Sequence, residues 1–174
     1  RVLYNYEKPK LDLNDSNFQS AVNLWFSDEL NATWTYGHIS DWNVSAVTDM
    51  SNAFKNRSSF NENLNSWDVS SVTNMESMFN GAFTFNQEIG DWNISKIQSM
   101  SNMFSGAMAF NQEVGGWDTS NVTNMNSTFK GAVNFNQDIS AWEIGKVVSL
   151  ASMFDGASAF NQNIGDWNVS RVNS

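Results

Sequence analysis

The 174-residue sequence contains no cysteine, a single histidine (His38) and a single proline, and only 16% of its residues are charged. The absence of cysteine excludes disulfide bonds, cysteine-ligated zinc sites and a cysteine nucleophile. One histidine excludes a metal site built from several histidines of one chain. No apolar run approaches the roughly 18 residues of a membrane span. The first residues also lack the apolar stretch of a signal peptide, but a processed chain would look the same.

The formal net charge is −9, from 18 acidic and 9 basic residues. This balance argues against a nucleic-acid partner, because phosphate backbones are bound by clustered Lys and Arg. The polar surface has to come from uncharged side chains instead, and the chain contains 26 asparagines. A polar, weakly charged and aromatic-rich composition is typical of extracellular repeat proteins.

An internal repeat of 25 residues organises most of the chain. Tryptophan recurs at this spacing without insertion, and five full units cover residues 42–166, followed by a truncated sixth. Such regular self-similarity predicts a solenoid in which each unit packs on its neighbours. The tryptophan column is Trp42, Trp67, Trp92, Trp117, Trp142 and Trp167.

Each unit is predicted to contribute one short helix and one short strand, which gives an α/β fold. In the second unit, Thr73 is a candidate N-cap, and Met75, Met78 and Phe79 follow at helical spacing. Gly81 then occupies a position that favours left-handed backbone, and the first unit has Asn56 there. The predicted strand follows at residues 85–89. We therefore expect an irregular solenoid resembling leucine-rich repeats.

An asparagine column follows the second phenylalanine of each unit. We expect these side chains to form a buried ladder in which each amide bonds to the backbone of a neighbouring turn, satisfying groups that would otherwise be unpaired. The predicted ladder consists of Asn61, Asn86, Asn111, Asn136 and Asn161.

The two ends of the repeat differ. Residues 1–15 are predicted to form an extended N-terminal arm, and residues 16–41 a capping helix and lead-in, with Asp15 and Ser16 as candidate N-caps. Residues 42–174 continue as repeats of the same domain. No cap follows Trp167, so either the parent chain continues or copies associate head to tail through this end.

Eight asparagines stand in N-x-[ST] triplets, which are acceptors for N-glycosylation in a eukaryotic secretory pathway. Three of them share the position after the tryptophan and should face solvent. None of the ladder asparagines is in such a triplet. The candidates are Asn14, Asn31, Asn43, Asn56, Asn93, Asn121, Asn126 and Asn168.

Acidic residues also recur in columns, and these leave bound calcium open as an alternative to a solvated face. No other cofactor is expected. Catalysis is disfavoured because repeating acids on a regular rod lack the asymmetry that a pair of catalytic carboxylates needs. An ice-binding surface is disfavoured because the threonine column is interrupted by Gln98 and Val148. The acidic columns are Glu88, Glu113 and Asp138, and Asp68, Asp118 and Glu143.

The unit W-[ND]-[VI]-S-x-V-T-[ND]-M-x-x-M-F-x-G-A-x-x-F-N-Q-x-I resembles the repeat of the BspA-like leucine-rich surface proteins. These include bacterial lipoproteins and predicted proteins of marine protists and algae. The resemblance covers residues 16–174 and leaves residues 1–15 outside. It implies a leucine-rich-repeat-like solenoid, display outside the cell or at its surface, and a role in adhesion or envelope structure. It carries no catalytic residues.

We therefore expect a non-enzymatic extracellular or cell-surface module with a structural or adhesive role, glycosylated and self-assembling into a filament. The alternative is a monomeric carbohydrate- or protein-binding receptor domain within a longer surface protein. Expected partners are further copies of the chain, glycans or surface proteins.

Overall fold

The computed structural model describes residues 10–174; the first nine residues of the predicted arm lie outside this range. Two α-helices, α1 (Phe18–Ser27) and α2 (Glu29–Tyr36), and a 3₁₀ helix (Ile39–Asp41) precede the repeats. The described range contains no β-strand and no sheet. Successive units are stacked, and isolated parallel bridges join one column of residues: Asp49, Asn74, Ser99, Asn124 and Ser149.

The prediction of an α/β fold with a helix and a strand in every unit is wrong. In place of the helix, residues 76–81 form consecutive turns, because Ser77 adopts a left-handed φ of 57°. The N–H of Ser77 donates to the carbonyl of Ser101 at 2.9 Å, and that of Phe79 to Met103 at 2.9 Å. In an α-helix these groups would bond within their own segment. The same left-handed position recurs in the other units at Asn52, Asn102, Ser127 and Ser152.

The left-handed position at the end of these turns is confirmed. Its φ is 60° at Asn56 and 71° at Gly81. This conformation favours glycine and asparagine, and these are the two residue types found in the column. The other members are Gly106, Gly131 and Gly156.

The predicted strand at residues 85–89 is absent for a different reason. The backbone N–H of Asn86 donates to the side-chain Oδ1 of Asn61 at 2.9 Å. In a pair of strands this N–H would donate to a backbone carbonyl of the neighbouring strand. Here the acceptor is a side-chain carbonyl instead. The inward position of Ile89 is nevertheless confirmed, since the residue is fully buried.

Aromatic columns fill the interior of the stack. Within the second unit the rings of Phe79 and Phe85 lie face to face with centroids 3.9 Å apart. Phe79 also stacks on Phe104 of the next unit at 5.6 Å. These rings are fully buried, so the two predicted phenylalanine columns form one continuous core along the repeats.

The tryptophan column joins successive turns of the stack, because each indole donates to a carbonyl 28 residues earlier. The indole Nε1–H of Trp92 donates to the carbonyl of Leu64 at 3.1 Å, and that of Trp117 to Ile89 at 3.2 Å. A buried indole N–H needs such an acceptor. The tryptophans therefore satisfy a carbonyl of an earlier turn as well as filling the core.

Helices α1 and α2 lie in the segment for which one capping helix was expected. Asp28 separates them: its N–H donates to the carbonyl of Leu24, and its side chain accepts from the N–H of Asn31 at 3.1 Å. Helix α1 begins after Asn17, whose side chain makes no cap bond. The expectation that Asp15 or Ser16 caps this helix is therefore wrong.

Asp15 instead ends a hydrogen-bond column that runs through the units. The N–H of Thr73 donates to the carbonyl of Thr48 at 2.8 Å, and the next unit repeats this bond from Gln98 to Thr73 at 2.9 Å. Thr48 has no preceding unit, and its N–H donates to Oδ1 of Asp15 at 2.7 Å while its hydroxyl donates to Oδ2 at 2.6 Å. The carboxylate thus replaces the carbonyl of a preceding turn.

The hydrogen bonds from the Thr48 side chain and backbone lower the pKa of Asp15 below its ordinary value. A lowered pKa in the folded state adds stability above the unfolded-state pKa of about 3.9, and this stability is lost as the pH falls through the folded value. We expect Asp15→Ala to lower the free energy of unfolding by about 1 kcal/mol at pH 7, as the loss of a cap does. The difference from wild type should shrink below about pH 4.

Urea unfolding at pH 7 and pH 3 measures this difference. Asp12→Ala is the control, because the Asp12 side chain makes no hydrogen bond within residues 10–174 and its replacement should have little effect at either pH. An Asp15→Ala effect that stayed constant down to pH 3 would contradict a role for the ionised carboxylate.

Candidate functional site

The asparagine ladder runs along one side of the stack. The N–H of each ladder asparagine donates to Oδ1 of the asparagine one unit earlier at 2.9 Å, in four consecutive steps from Asn61 to Asn161. The ladder side chains lie at the surface, exposed or half-buried, rather than in the core where they were expected. The ladder therefore both joins the units and presents amide groups to solvent.

A glutamine column, which the sequence interpretation missed, reinforces this ladder. Nε2 of Gln112 donates to the backbone carbonyl and to Oδ1 of Asn86, at 2.9 and 3.0 Å. Gln137 makes the same pair of bonds to Asn111 at 2.9 Å. Both N–H groups of each glutamine side chain donate to the ladder, so Oε1 is the side-chain atom that remains available to a ligand. The recurring F-N-Q triplet was the available signal.

A polar groove of about 670 Å³ lies beside the ladder. It crosses the first four units, and its lining combines amide, carboxylate and glycine residues. The lining residues are Asn65, Glu88, Gly90, Asp91, Asn111, Gln112, Glu113, Gly116 and Gln137.

The groove coincides with a change in the loop that follows the glutamine. In the fourth unit Asp138 accepts the N–H of Ser140 at 2.9 Å, and in the first unit Asn63 accepts that of Asn65 at 2.8 Å. The second and third units have glutamate at this position, and no such bond is formed there. A carboxylate one methylene further from the backbone does not close the same turn.

The two glutamate units carry glycine at the position whose N–H is the turn donor in the other loops, as does the fifth unit, where Gly165 donates to Asn163 at 3.0 Å. A Cβ built on Gly90 would lie 2.4 Å from the carbonyl oxygen of Glu113, and one on Gly115 would lie 2.2 Å from that of Asp138. The backbone therefore approaches the next unit more closely than a side chain allows. Glutamate followed two residues later by glycine is the sequence signature of this second loop form.

The acidic columns differ in their bonding. The carboxylates of Glu88 and Glu113 have no hydrogen bond or ion pair within the part of the chain that the structure describes. By contrast, hydrogen bonds from Ser140 lower the pKa of Asp138. Hydrogen bonds from the following serines, with smaller contributions from lysines, lower the pKa values of Asp68 and Asp118.

The acidic columns do not converge into a metal centre. Among residues 10–174, no group of three or more His, Cys, Asp or Glu side chains is placed to hold a metal ion. His38 lies apart from these acids, with Nδ1 2.8 Å from the hydroxyl of Ser40 and its ring against the edge of Trp25.

The glycosylation candidates occupy different environments. Asn43, Asn93 and Asn168 share one exposed column, and Oδ1 of each accepts the N–H of the serine two residues later. Their Nδ2 atoms make no hydrogen bond in the described range. Asn14, Asn31 and Asn56 are also exposed, on the cap and in the first unit.

The remaining two candidates are held by neighbouring units. Nδ2 of Asn121 donates to the carbonyl of Ser95 at 2.8 Å, and its Oδ1 accepts from Lys146. Oδ1 of Asn126 accepts the N–H of Ala151 at 3.1 Å, and the residue is half-buried. Glycosylation at all eight positions stays a prediction, and Asn121 is the candidate whose Nδ2 is held by a hydrogen bond within residues 10–174.

The fifth and sixth units present a second, apolar groove of about 360 Å³. Phe154 and Trp167 are partly buried there, whereas their equivalents in earlier units are fully covered. Self-association through this face stays a prediction. Neither helix among residues 10–174 has the length and apolarity needed to cross a bilayer.

One family model matches the repeats. It is described as "Mycoplasma protein of unknown function, DUF285", and it matches residues 21–119 and again residues 84–174. No curated protein and no solved structure gives a significant match.

Proposed function

This chain belongs to the DUF285 family, and from its polar groove and the resemblance of its repeat to BspA-like surface proteins we propose that it is a non-enzymatic adhesive or structural module of the cell surface or extracellular space. The observation that carries the proposal is the rigid polar side of the stack. Equivalent amide groups recur there from unit to unit, held at 2.9 Å contacts. A surface of this kind suits contact with an extended partner.

The electrostatics support a binding role over catalysis. The four carboxyl pKa values that depart from their ordinary values within residues 10–174 are all lowered. A general acid at neutral pH needs a raised carboxyl pKa. Hydrogen bonds from serine and threonine hold these carboxylates ionised, as suits a solvated surface.

The resemblance of the repeat to BspA-like surface proteins supports the proposed location. Family membership stands on the matched model, and the closer relationship to the BspA-like proteins is part of this proposal. The exposed column of Asn43, Asn93 and Asn168 fits the same setting, since surface asparagines of this type accept glycans in secreted proteins.

A second function is favoured by the groove itself. A single concave polar site of about 670 Å³ is within the range of ligand pockets. The chain would then serve as a monomeric receptor domain for a carbohydrate or a protein, within a longer surface protein. The two functions predict different effects of added chain. An adhesive module should block the attachment of cells, and a receptor domain should not.

An antibody against the chain tests the location on the cells that produce it. We expect equal labelling of intact and permeabilised cells, and the purified chain added in excess should reduce attachment of these cells to their substratum. Heat-denatured wild-type chain is the control for the added protein. Labelling that requires permeabilisation would contradict the proposal, and labelling without any effect on attachment would favour the receptor function.

A further inference from the structure

The polar groove combines amide groups that hydrogen bonds between units hold in place with the carboxylates of Glu88 and Glu113, which have no partner within residues 10–174. We propose that it binds a linear, uncharged polysaccharide through the sugar hydroxyls, an inference that rests on the proposed adhesive function and names its partner.

The acceptors of the groove come from two sources. Gln112 and Gln137 use their N–H groups on the ladder, which leaves Oε1 of each as an acceptor. Glu88 and Glu113 add carboxylates that have no partner within residues 10–174. Each carboxylate can accept two hydroxyl groups at once.

The donor comes from the ladder. Oδ1 of Asn111 accepts the N–H of Asn136 and Nε2 of Gln137, both at 2.9 Å. Nδ2 is therefore the atom of Asn111 that remains for a ligand, and it can only donate. A simple cation or a polyamine offers donors alone and would leave this amide unpaired, and an anion would be repelled by the glutamates. Hydroxyl groups both donate and accept, so they match the whole lining.

The spacing of the units favours a polymer over a single small molecule. The rings of Phe85 and Phe110, which lie behind the groove, are 6.1 Å apart, so equivalent polar groups recur at about that interval along the stack. A groove of about 670 Å³ that crosses four units is large enough for several linked sugar rings. Because hydrogen bonds between units hold the amide groups of the lining, the glutamate side chains are the part of it that loses conformational entropy on binding.

Binding of the full 174-residue chain to immobilised glycans tests the proposal. The surface carries linear glucan, galactan and mannan oligosaccharides, with poly-lysine as the cationic probe. We expect the chain to bind at least one of these glycans and not the poly-lysine. Glu113→Ala removes an acceptor and should weaken binding by about tenfold, the effect of losing one hydrogen bond to a charged group.

Two further variants separate binding from folding. A Cβ at Gly116 meets no atom within 4 Å, so Gly116→Tyr should fold with an unchanged melting temperature, occupy the groove and abolish binding. Glu143→Ala removes an exposed glutamate of the other acidic column and should bind like wild type. Retention on poly-lysine alone, absence of binding to every glycan, or full binding by Gly116→Tyr would each overturn the proposal.

The same variants distinguish this inference from the function on which it rests. If the wild-type chain blocks cell attachment and Gly116→Tyr blocks it equally well, the groove is not the binding site while the adhesive function stands. If neither protein affects attachment and the chain is not at the surface, the adhesive function itself is wrong.

Discussion

Replacing Gly115 by alanine should lower the free energy of unfolding by about 3 kcal/mol, at the upper end of the usual cost of forcing atoms into a packed structure. The new Cβ would lie 2.2 Å from the carbonyl oxygen of Asp138, so the backbone of one of the two units has to move. The adjacent Gly116→Ala should change the free energy by less than about 0.5 kcal/mol, because its Cβ meets nothing within 4 Å. Urea unfolding of both variants measures the difference.

A double substitution tests whether the clash of the new Cβ at position 115 occurs only in the loop form that has glutamate followed by glycine. The fourth unit carries Asp138 and Ser140 at the positions of Glu113 and Gly115, and it closes the alternative turn with a bond of 2.9 Å. Glu113→Asp combined with Gly115→Ser should therefore recover most of the stability that Gly115→Ala loses. If the double variant were as unstable as Gly115→Ala, the link between the acidic residue and the glycine would be wrong.

Phe104→Ala should lower the free energy of unfolding by about 3–5 kcal/mol, the range for removing a buried aromatic ring. Phe104 is fully buried and stacks on rings in its own unit and in both neighbours, Phe110 at 4.0 Å, Phe79 at 5.6 Å and Phe129 at 5.6 Å. The cavity would interrupt the aromatic column in the middle of the stack. Thermal and urea unfolding monitored by far-ultraviolet circular dichroism measure the loss.

Phe83→Ala is the matched control, since it removes the same side chain from a position that is 46% exposed. Its cost should be below about 1 kcal/mol, because less apolar area returns to water and no closed cavity forms. Comparable losses in the two variants would contradict the assignment of the aromatic column as the source of stability.

The sequence predicts the core of this protein well and its backbone poorly. The columns of phenylalanine, tryptophan and isoleucine are periodic, and burial follows directly from their identity. The spacing of Met75, Met78 and Phe79 also fits a helix, but the same spacing places side chains inward on consecutive turns. What decides between them is the left-handed φ of Ser77, and serine carries little preference for that conformation.

The site was predictable in part. The ladder asparagines stand out because they recur without exception, although their position at the surface depends on how the loop bends. The groove was hidden because it arises from a departure from regularity. Two units pair Glu88 with Gly90 and Glu113 with Gly115, whereas Asp138 is paired with Ser140. The structure explains this difference, because the backbone at the two glycines lies too close to a carbonyl oxygen of the next unit for a side chain to fit.

Because backbone hydrogen bonds join the units at a fixed offset, the chain can change in length only by whole units. The N–H of Met50 donates to Asn74, that of Asn52 to Glu76 and that of Phe54 to Met78, always 24 positions onward. Gain or loss of one residue within a unit would displace all these partners and turn the aromatic columns out of register. Gain or loss of 25 residues would leave every junction as it is, because each unit contacts only its neighbours. Recombination between repeats in the coding sequence can therefore lengthen or shorten the protein in whole steps while the fold is conserved.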